Sequence, residues 1–176
     1  MIKLPAQYNN RTPQNYRRYL KASINTVAQT SSTYTAGRVY LIQIEIPQPV
    51  LASGIIISNI SPAGNAIVGI YPEGSTNTPA AAAVKVQSAD TALSGSNQPQ
   101  EIAITPTVLS PGTYYIAVEF SDNTATVQRF PAVYVLPGQS FYYDRGGGYG
   151  TLTSPCPAVT ASTATIPGVI LHATKV

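Results

Sequence analysis

One histidine, one cysteine and no tryptophan occur in the 176 residues. His172 and Cys156 by themselves cannot assemble a structural zinc site, which takes four such ligands. A lone cysteine also excludes an intrachain disulfide and leaves the redox compartment open. Charge is scarce: Asp, Glu, Lys and Arg make up 10% of the chain, against about 25% in an average globular domain. No acidic residue precedes Glu45. No apolar run approaches the roughly 20 residues of a helical membrane span. Met1-Ile-Lys-Leu-Pro lacks the apolar core of a signal peptide. These absences lead us to expect no membrane partner and no export signal.

What remains is a chain of small, hydroxylated and β-branched residues punctuated by 15 prolines and 13 glycines. They recur at strand-length intervals, the spacing of an all-β domain. The clearest segment is residues 109–121, Leu-Ser-Pro-Gly-Thr-Tyr-Tyr-Ile-Ala-Val-Glu-Phe-Ser. Pro111 and Gly112 suit the two central positions of a type II turn. Beyond them Tyr114, Ile116, Val118 and Phe120 alternate with Thr113, Tyr115, Ala117 and Glu119. A period of two marks a strand with one buried face. The cost of burying an unpaired carboxylate turns the Glu119 face outward.

Further strands are predicted at residues 38–46, 55–60, 66–71, 84–87, 102–104, 124–130, 132–136, 140–143 and 169–173. The run Ile55-Ile56-Ile57 predicts packing on both faces. Polar loops are expected at residues 72–83 and 88–100. The fold class expected is therefore all-β, an antiparallel two-sheet sandwich over residues 38–176, jelly-roll-like, with an extended basic arm at 1–37. Tyr40, Ile42, Ile44, Val68, Ile70, Ile102, Ile104, Ile116, Val118 and Phe120 are the predicted core.

The arm is set apart by its charge. Lys3, Arg11, Arg17, Arg18, Lys21 and Arg38 give the first 38 residues +6, and the rest of the chain, with four basic and seven acidic residues, carries −3. A short helix over residues 13–21 is compatible with Pro13 at its first turn. Tyr8, Tyr16 and Tyr19 are the apolar anchors, and Arg11, Arg17, Arg18 and Lys21 the charges, of a segment expected to dock on a neighbouring subunit. Six charges over 38 residues are too sparse for the dense arms that neutralise nucleic acid, so a nucleic-acid partner is not expected.

Three stretches carry a resemblance. Gly-Arg-Val-Tyr-Leu-Ile-Gln-Ile (37–44), Ala-Ile-Val-Gly-Ile-Tyr (66–71) and Leu-Ser-Pro-Gly-Thr-Tyr-Tyr-Ile-Ala-Val (109–118) are similar to the small β-sandwich modules of tailed-bacteriophage structural proteins. The resemblance spans residues 34–130. It implies a jelly-roll-like sandwich in a head-surface, tail or fibre component of a virion, and it carries over no catalytic residue.

Site chemistry is thin. His172 alternates with Ile170 in the last predicted strand, and no Gly-x-Ser-x-Gly elbow accompanies it. Glu45, Glu73, Asp90, Glu101, Glu119, Asp122 and Asp144 are the whole carboxylate supply, with no pair that the sequence marks for glycoside hydrolysis. Asp144-Arg-Gly-Gly-Gly-Tyr-Gly has the glycines of a phosphate cradle but neither its Lys-Ser/Thr nor a following helix. Asn10-Arg-Thr and Asn59-Ile-Ser match the glycosylation pattern by chance. No catalytic residue, metal or cofactor is assigned.

The aromatic residues Phe141, Tyr142, Tyr143 and Tyr149 form a candidate glycan-stacking loop, because aromatic faces offer an apolar surface to sugar C–H groups. The expected function is that of a non-enzymatic virion structural protein, made in the host cytoplasm and assembling with copies of itself and other virion proteins. The alternatives are a carbohydrate-binding adhesion module that takes a cell-surface glycan, and a single-jelly-roll capsid protein whose basic arm faces nucleic acid.

Overall fold

The computed structural model describes residues 30–74, 77–130, 140–146, 148–162 and 166–176. No helix occurs among them. The strands are β1 (Thr30–Thr33), β2 (Arg38–Ile46), β3 (Val50–Ser61), β4 (Asn65–Pro72), β5 (Val86–Gln87), β6 (Thr91–Ala92), β7 (Gln98–Leu109), β8 (Gly112–Phe120), β9 (Thr126–Phe130), β10 (Ser140–Asp144), β11 (Thr160–Ala161), β12 (Ile166–Pro167) and β13 (Val169–Lys175). The predicted strand at residues 132–136 lies outside the described residues.

Two antiparallel sheets pack face to face. Sheet A runs β1-β9-β3-β13, with β12 on β9 and β7 on the other side of β3. Sheet B runs β11-β10-β2-β8-β4-β5, with β6 also on β4. The chain is thus the expected all-β antiparallel two-sheet sandwich. Pro47 and Pro49 separate β2 from β3, since neither can donate to a ladder. Gly112 adopts a positive φ of 152° and opens β8 opposite Ile46, so the glycine belongs to the strand start as well as to the turn.

Between the sheets lie Tyr40, Val68, Ile70, Ile116, Val118 and Phe120 from sheet B and Ile55, Ile57, Ile102 and Ile104 from sheet A. All of the predicted core residues are in or against this layer, Ile42 and Ile44 being only partly buried. The isoleucine run in β3 does not pack on both faces. Ile55 and Ile57 point inward, and Ile56 is half-buried on the outer side, because β3 sits centrally in a sheet with one face covered by the described residues.

The second face of sheet B is also covered. Val39, Leu41, Ile67, Tyr71, Tyr115, Ala117, Phe141 and Tyr143 form a second apolar cluster, capped by Ala82, Leu152 and Cys156 from two loops. Backbone bonds tie the loops together, with the Ala81 N–H donating to the Cys156 carbonyl and the Cys156 N–H to the Ala82 carbonyl, both at 2.8 Å. Leu152 descends onto β4 at Gly69, where a Cβ would come within 2.5 Å of its Cδ1. Residues 77–84, which include most of the long stretch at 72–83, therefore pack as part of a third layer.

The sandwich also begins earlier than residue 38. β1 pairs with β9, and Tyr34 is 2% exposed, stacked on Phe120 at 5.1 Å and edge-on to Tyr40 at 5.0 Å. Replacing a buried aromatic side chain by alanine removes transfer energy and leaves a cavity. Tyr34→Ala should therefore lower stability by about 3 kcal/mol in urea unfolding. An unchanged midpoint would remove residues 30–36 from the folding unit.

Candidate functional site

Antiparallel pairing brings the start of β2, the start of β4, the end of β8 and the end of β10 to one end of sheet B. Val39 and Ile67 both pair with Glu119, and Arg38 pairs with Asp144. Five of the twelve Asp, Glu, Lys and Arg residues in the described part of the chain, Arg38, Asp90, Glu119, Asp144 and Arg145, gather at this end. The glycine-rich loop after Asp144 crosses it.

Glu119 carries the largest departure from expectation. Its face of β8 does turn away from sheet A, as expected, but the side chain is fully buried beneath the loop. Arg145 compensates the cost. Its Nη1 donates to both carboxylate oxygens, at 2.9 and 3.2 Å, and the Gly150 N–H adds a longer bond of 3.4 Å. An outward Glu119 was expected on the premise that its carboxylate has no partner. A partner 26 residues downstream, in the glycine-rich segment after Asp144, removes that premise. Burial still raises the Glu119 carboxyl above its usual range, and Arg145 and the Gly150 amide oppose the shift.

Two further contacts hold the loop. Arg38 meets Asp144 in a two-bond pair, Nε to Oδ1 at 2.6 Å and Nη2 to Oδ2 at 3.1 Å. Tyr149 donates its hydroxyl to Asp90, which also accepts from the Asn65 amide at 2.8 Å. Those two donors hold the Asp90 carboxyl below its ordinary range, the tyrosine contributing most. The glycines at 146 and 148 sit at the exposed tip, where a Cβ would meet nothing within 4 Å.

The candidate glycan-stacking residues do not share a surface. Tyr143 is 4% exposed; its hydroxyl lies 3.1 Å from that of Tyr71, and Tyr71 donates to the Thr153 carbonyl. Tyr142, its neighbour in a strand, points to the opposite face of sheet B, partly buried against the inner core with the Arg38 guanidinium 4.2 Å from its ring centroid. Tyr149 is half-buried against the outer cluster. The strand's period of two splits Tyr142 from Tyr143, and Tyr149 lies beyond β10, in the loop.

His172 lies elsewhere, on the outer side of sheet A, with Nδ1 2.5 Å from Glu101 Oε1. Among the described residues no hydroxyl is bonded to its ring, and no three His, Cys, Asp or Glu side chains converge as metal ligands. Asn59, in the second glycosylation pattern, is fully buried. The arm residues Tyr8, Arg11, Tyr16, Arg17, Arg18, Tyr19 and Lys21 lie outside the described residues.

Sequence reasoning missed both the Arg145–Glu119 and Glu101–His172 pairs. A signal for the first was present. In a chain so poor in charge, an arginine set among glycines and a glutamate inside an apolar strand each need a partner.

No family model matches the chain, and neither a curated protein nor a solved structure matches it.

Removing Arg145 would strand a buried carboxylate, and breaking one side of such a pair costs about 3 kcal/mol or more. Arg145→Met should lose about that much at pH 7 and much less near pH 4. In the variant the Glu119 carboxyl rises further, so folding retains its proton where the unfolded chain has lost it, and stability falls as pH increases through that window. Adding Glu119→Leu should recover most of the loss; a double variant no more stable than Arg145→Met would remove the pair as the cause.

A second pH effect has a separate origin. Burial pushes the Cys156 thiol from 9.0 up to about 12 and the Tyr115 phenol from 10.0 up to about 12. Acids raised in the folded state hold protons the unfolded chain releases, so stability is full below pH 9 and drains between pH 9 and 12. Native Cys156 should react with a thiol reagent at pH 8 only at the rate of unfolding. Immediate labelling would contradict its burial.

Proposed function

We propose that the chain is a structural component of a virion, of the tailed-bacteriophage kind its sequence resembles, and that it works by protein–protein assembly without catalysis. The use it makes of its charges carries this reading. Five of the seven acidic residues are engaged within the described sandwich: Glu119 with Arg145, Asp144 with Arg38, Glu101 with His172, Asp90 with Tyr149 and Asn65, and Asp122 with Thr124. Charge here fastens strands and loops to one another. It leaves a surface rich in hydroxyl, amide and small apolar groups, suited to permanent contact with neighbours.

The N-terminal segment supplies the second half of the reading. Its basic residues and tyrosines complement a body of net negative charge, with other virion proteins and further copies of the chain as partners. Aromatic anchors carry the affinity, since Coulomb attraction between exposed charges fades within about 8 Å at physiological salt. A carbohydrate-binding module is less well supported, because Tyr142, Tyr143 and Tyr149 form no common platform. A capsid protein with its arm on nucleic acid is kept apart by experiment.

Deleting residues 2–29 should leave a folded sandwich that no longer enters particles, scored by imaging particles with the chain labelled. Nuclease treatment of intact assemblies should leave the wild-type chain in place. Normal incorporation of the deletion variant would overturn the reading, and loss of the wild-type chain on nuclease treatment would favour the nucleic-acid-facing arm.

A further inference from the structure

The two sheets differ in what lies over their outer faces. Among the described residues, sheet B is covered by 77–84, 145–146 and 148–159, whereas on sheet A three rows of outward positions lie across β13, β3 and β7. The first row is Ile170, Ile56 and Glu101; the second is His172, Gly54 and Ala103; the third is Thr174, Leu51 and Val108. Ile56, Ile170 and Leu51 are half-buried, and Val108 is 51% exposed. A patch of aliphatic side chains is thus presented on the sheet's outer side.

One acid sits in the middle of it. Glu101 leans from β7 across β3 to reach His172 on β13, and a Cβ on Gly54 would come within 2.5 Å of its Oε1. The missing side chain at position 54 therefore lets the carboxylate lie among the aliphatic rows. Its side chain remains 42% exposed. A carboxylate framed by apolar groups, with a single imidazole beside it, matches a partner bringing cations and apolar or aromatic groups together.

Residues 1–29 have that composition. They hold five basic residues and no acid, with Tyr8, Tyr16, Tyr19, Leu20, Ile24 and Val27 interspersed. They join the sandwich at Thr30, the first residue of β1, which lies at an edge of sheet A. Twenty-nine residues can span up to about 95 Å when extended, and a 12-residue strand such as β7 covers only about 40 Å. The segment is long enough to leave its own sandwich and cross the sheet of another. Returning over its own sheet it would first meet Thr126 and Gln128 of β9, with the aliphatic rows farther off on β3 and β7.

We infer that the outer face of sheet A is the docking surface for residues 1–29 of a neighbouring copy, with tyrosines on the Ile56, Ile170, Leu51 and Val108 rows and arginine on Glu101. The inference rests on the assembly reading above and names the surface that reading needs.

Cross-linking the full chain tests it. Gln14→Cys is combined with Val108→Cys on the face, or with Thr151→Cys in the layer over sheet B as a control. Buried Cys156 is left in place. Isotopically heavy and light copies are mixed and treated with a short bis-maleimide. Heavy-to-light links between positions 14 and 108 are expected at about ten times the yield of links between 14 and 151, the scale of one good anchor. Adding Glu101→Lys should cut the 14-to-108 yield about tenfold with the circular dichroism unchanged.

Heavy-to-light links through position 151 with none through 108 overturn the inference and leave assembly standing. Links through 108 confined to one isotope overturn docking on a neighbour. A monomeric chain with no heavy-to-light link at either position overturns both.

Discussion

A carboxylate fully buried on the outer face of β8 needs a counterion, and Arg145 reaches Glu119 only if the glycine-rich loop lies across the end of sheet B. That requirement organises much of the rest. With Arg145 fixed, Tyr149 falls beside Asp90, Gly150 turns its amide to Glu119, and Leu152 is delivered onto Gly69. Cys156 then locks to the loop at residues 81–82 and closes the cover over Tyr71, Tyr115 and Tyr143. The pair adds little net stability in itself, because desolvation cancels most of the Coulomb gain. Its effect is on specificity: alternatives that leave Glu119 under the cover without Arg145 are costly.

Much of this architecture was legible from periodicity. β2 runs over the residues where alternation begins and where Pro47 follows, and β8 follows the turn chemistry at Pro111 and Gly112. The inward faces of β7 and β8 could be named because apolar residues at every second position have one side to go to. The limits have equally specific causes. Alternation tells inner from outer, but not whether the outer face is wet, and the face that includes Tyr115, Ala117 and Glu119 is as dry as the one facing sheet A. Dryness depends on distant loops whose small residues carry no period.

The same limit explains the two ends of the prediction that moved. Residues 30–36 read as arm because Thr, Ser and Ala give no packing signal, yet four of them pair with β9 and carry Tyr34 into the core. Tyr142 and Tyr143 read as one aromatic patch because they are adjacent, yet adjacency in a strand means opposite faces. The site residues joined by charge were the least visible. Arg145 and Glu119 are 26 positions apart, and Glu101 and His172 are 71 apart. No local pattern connects such pairs: sheet register brings Glu101 to His172, and the loop beyond β10 carries Arg145 to Glu119.

Register also explains why the two ion pairs have different consequences. On sheet B, Glu119 points under a loop that the chain itself provides, so the charge is matched within the fold and the face is closed. On sheet A, Glu101 points across Gly54 among Ile56, Ile170 and Leu51, and its only described partner is a histidine that is itself partly exposed. A charge-poor chain that spends one of its seven acids in the middle of an aliphatic face gains little stability from doing so, because an ion pair left this exposed contributes on the order of 1 kcal/mol or less. Stability alone would favour another aliphatic residue there. A carboxylate among apolar rows acquires value when a cationic, aromatic segment arrives, since it then rejects acidic or uncharged strands that the aliphatic rows alone would accept. One sheet of the sandwich is completed by its own loops, and the other presents, among the described residues, aliphatic rows around a carboxylate.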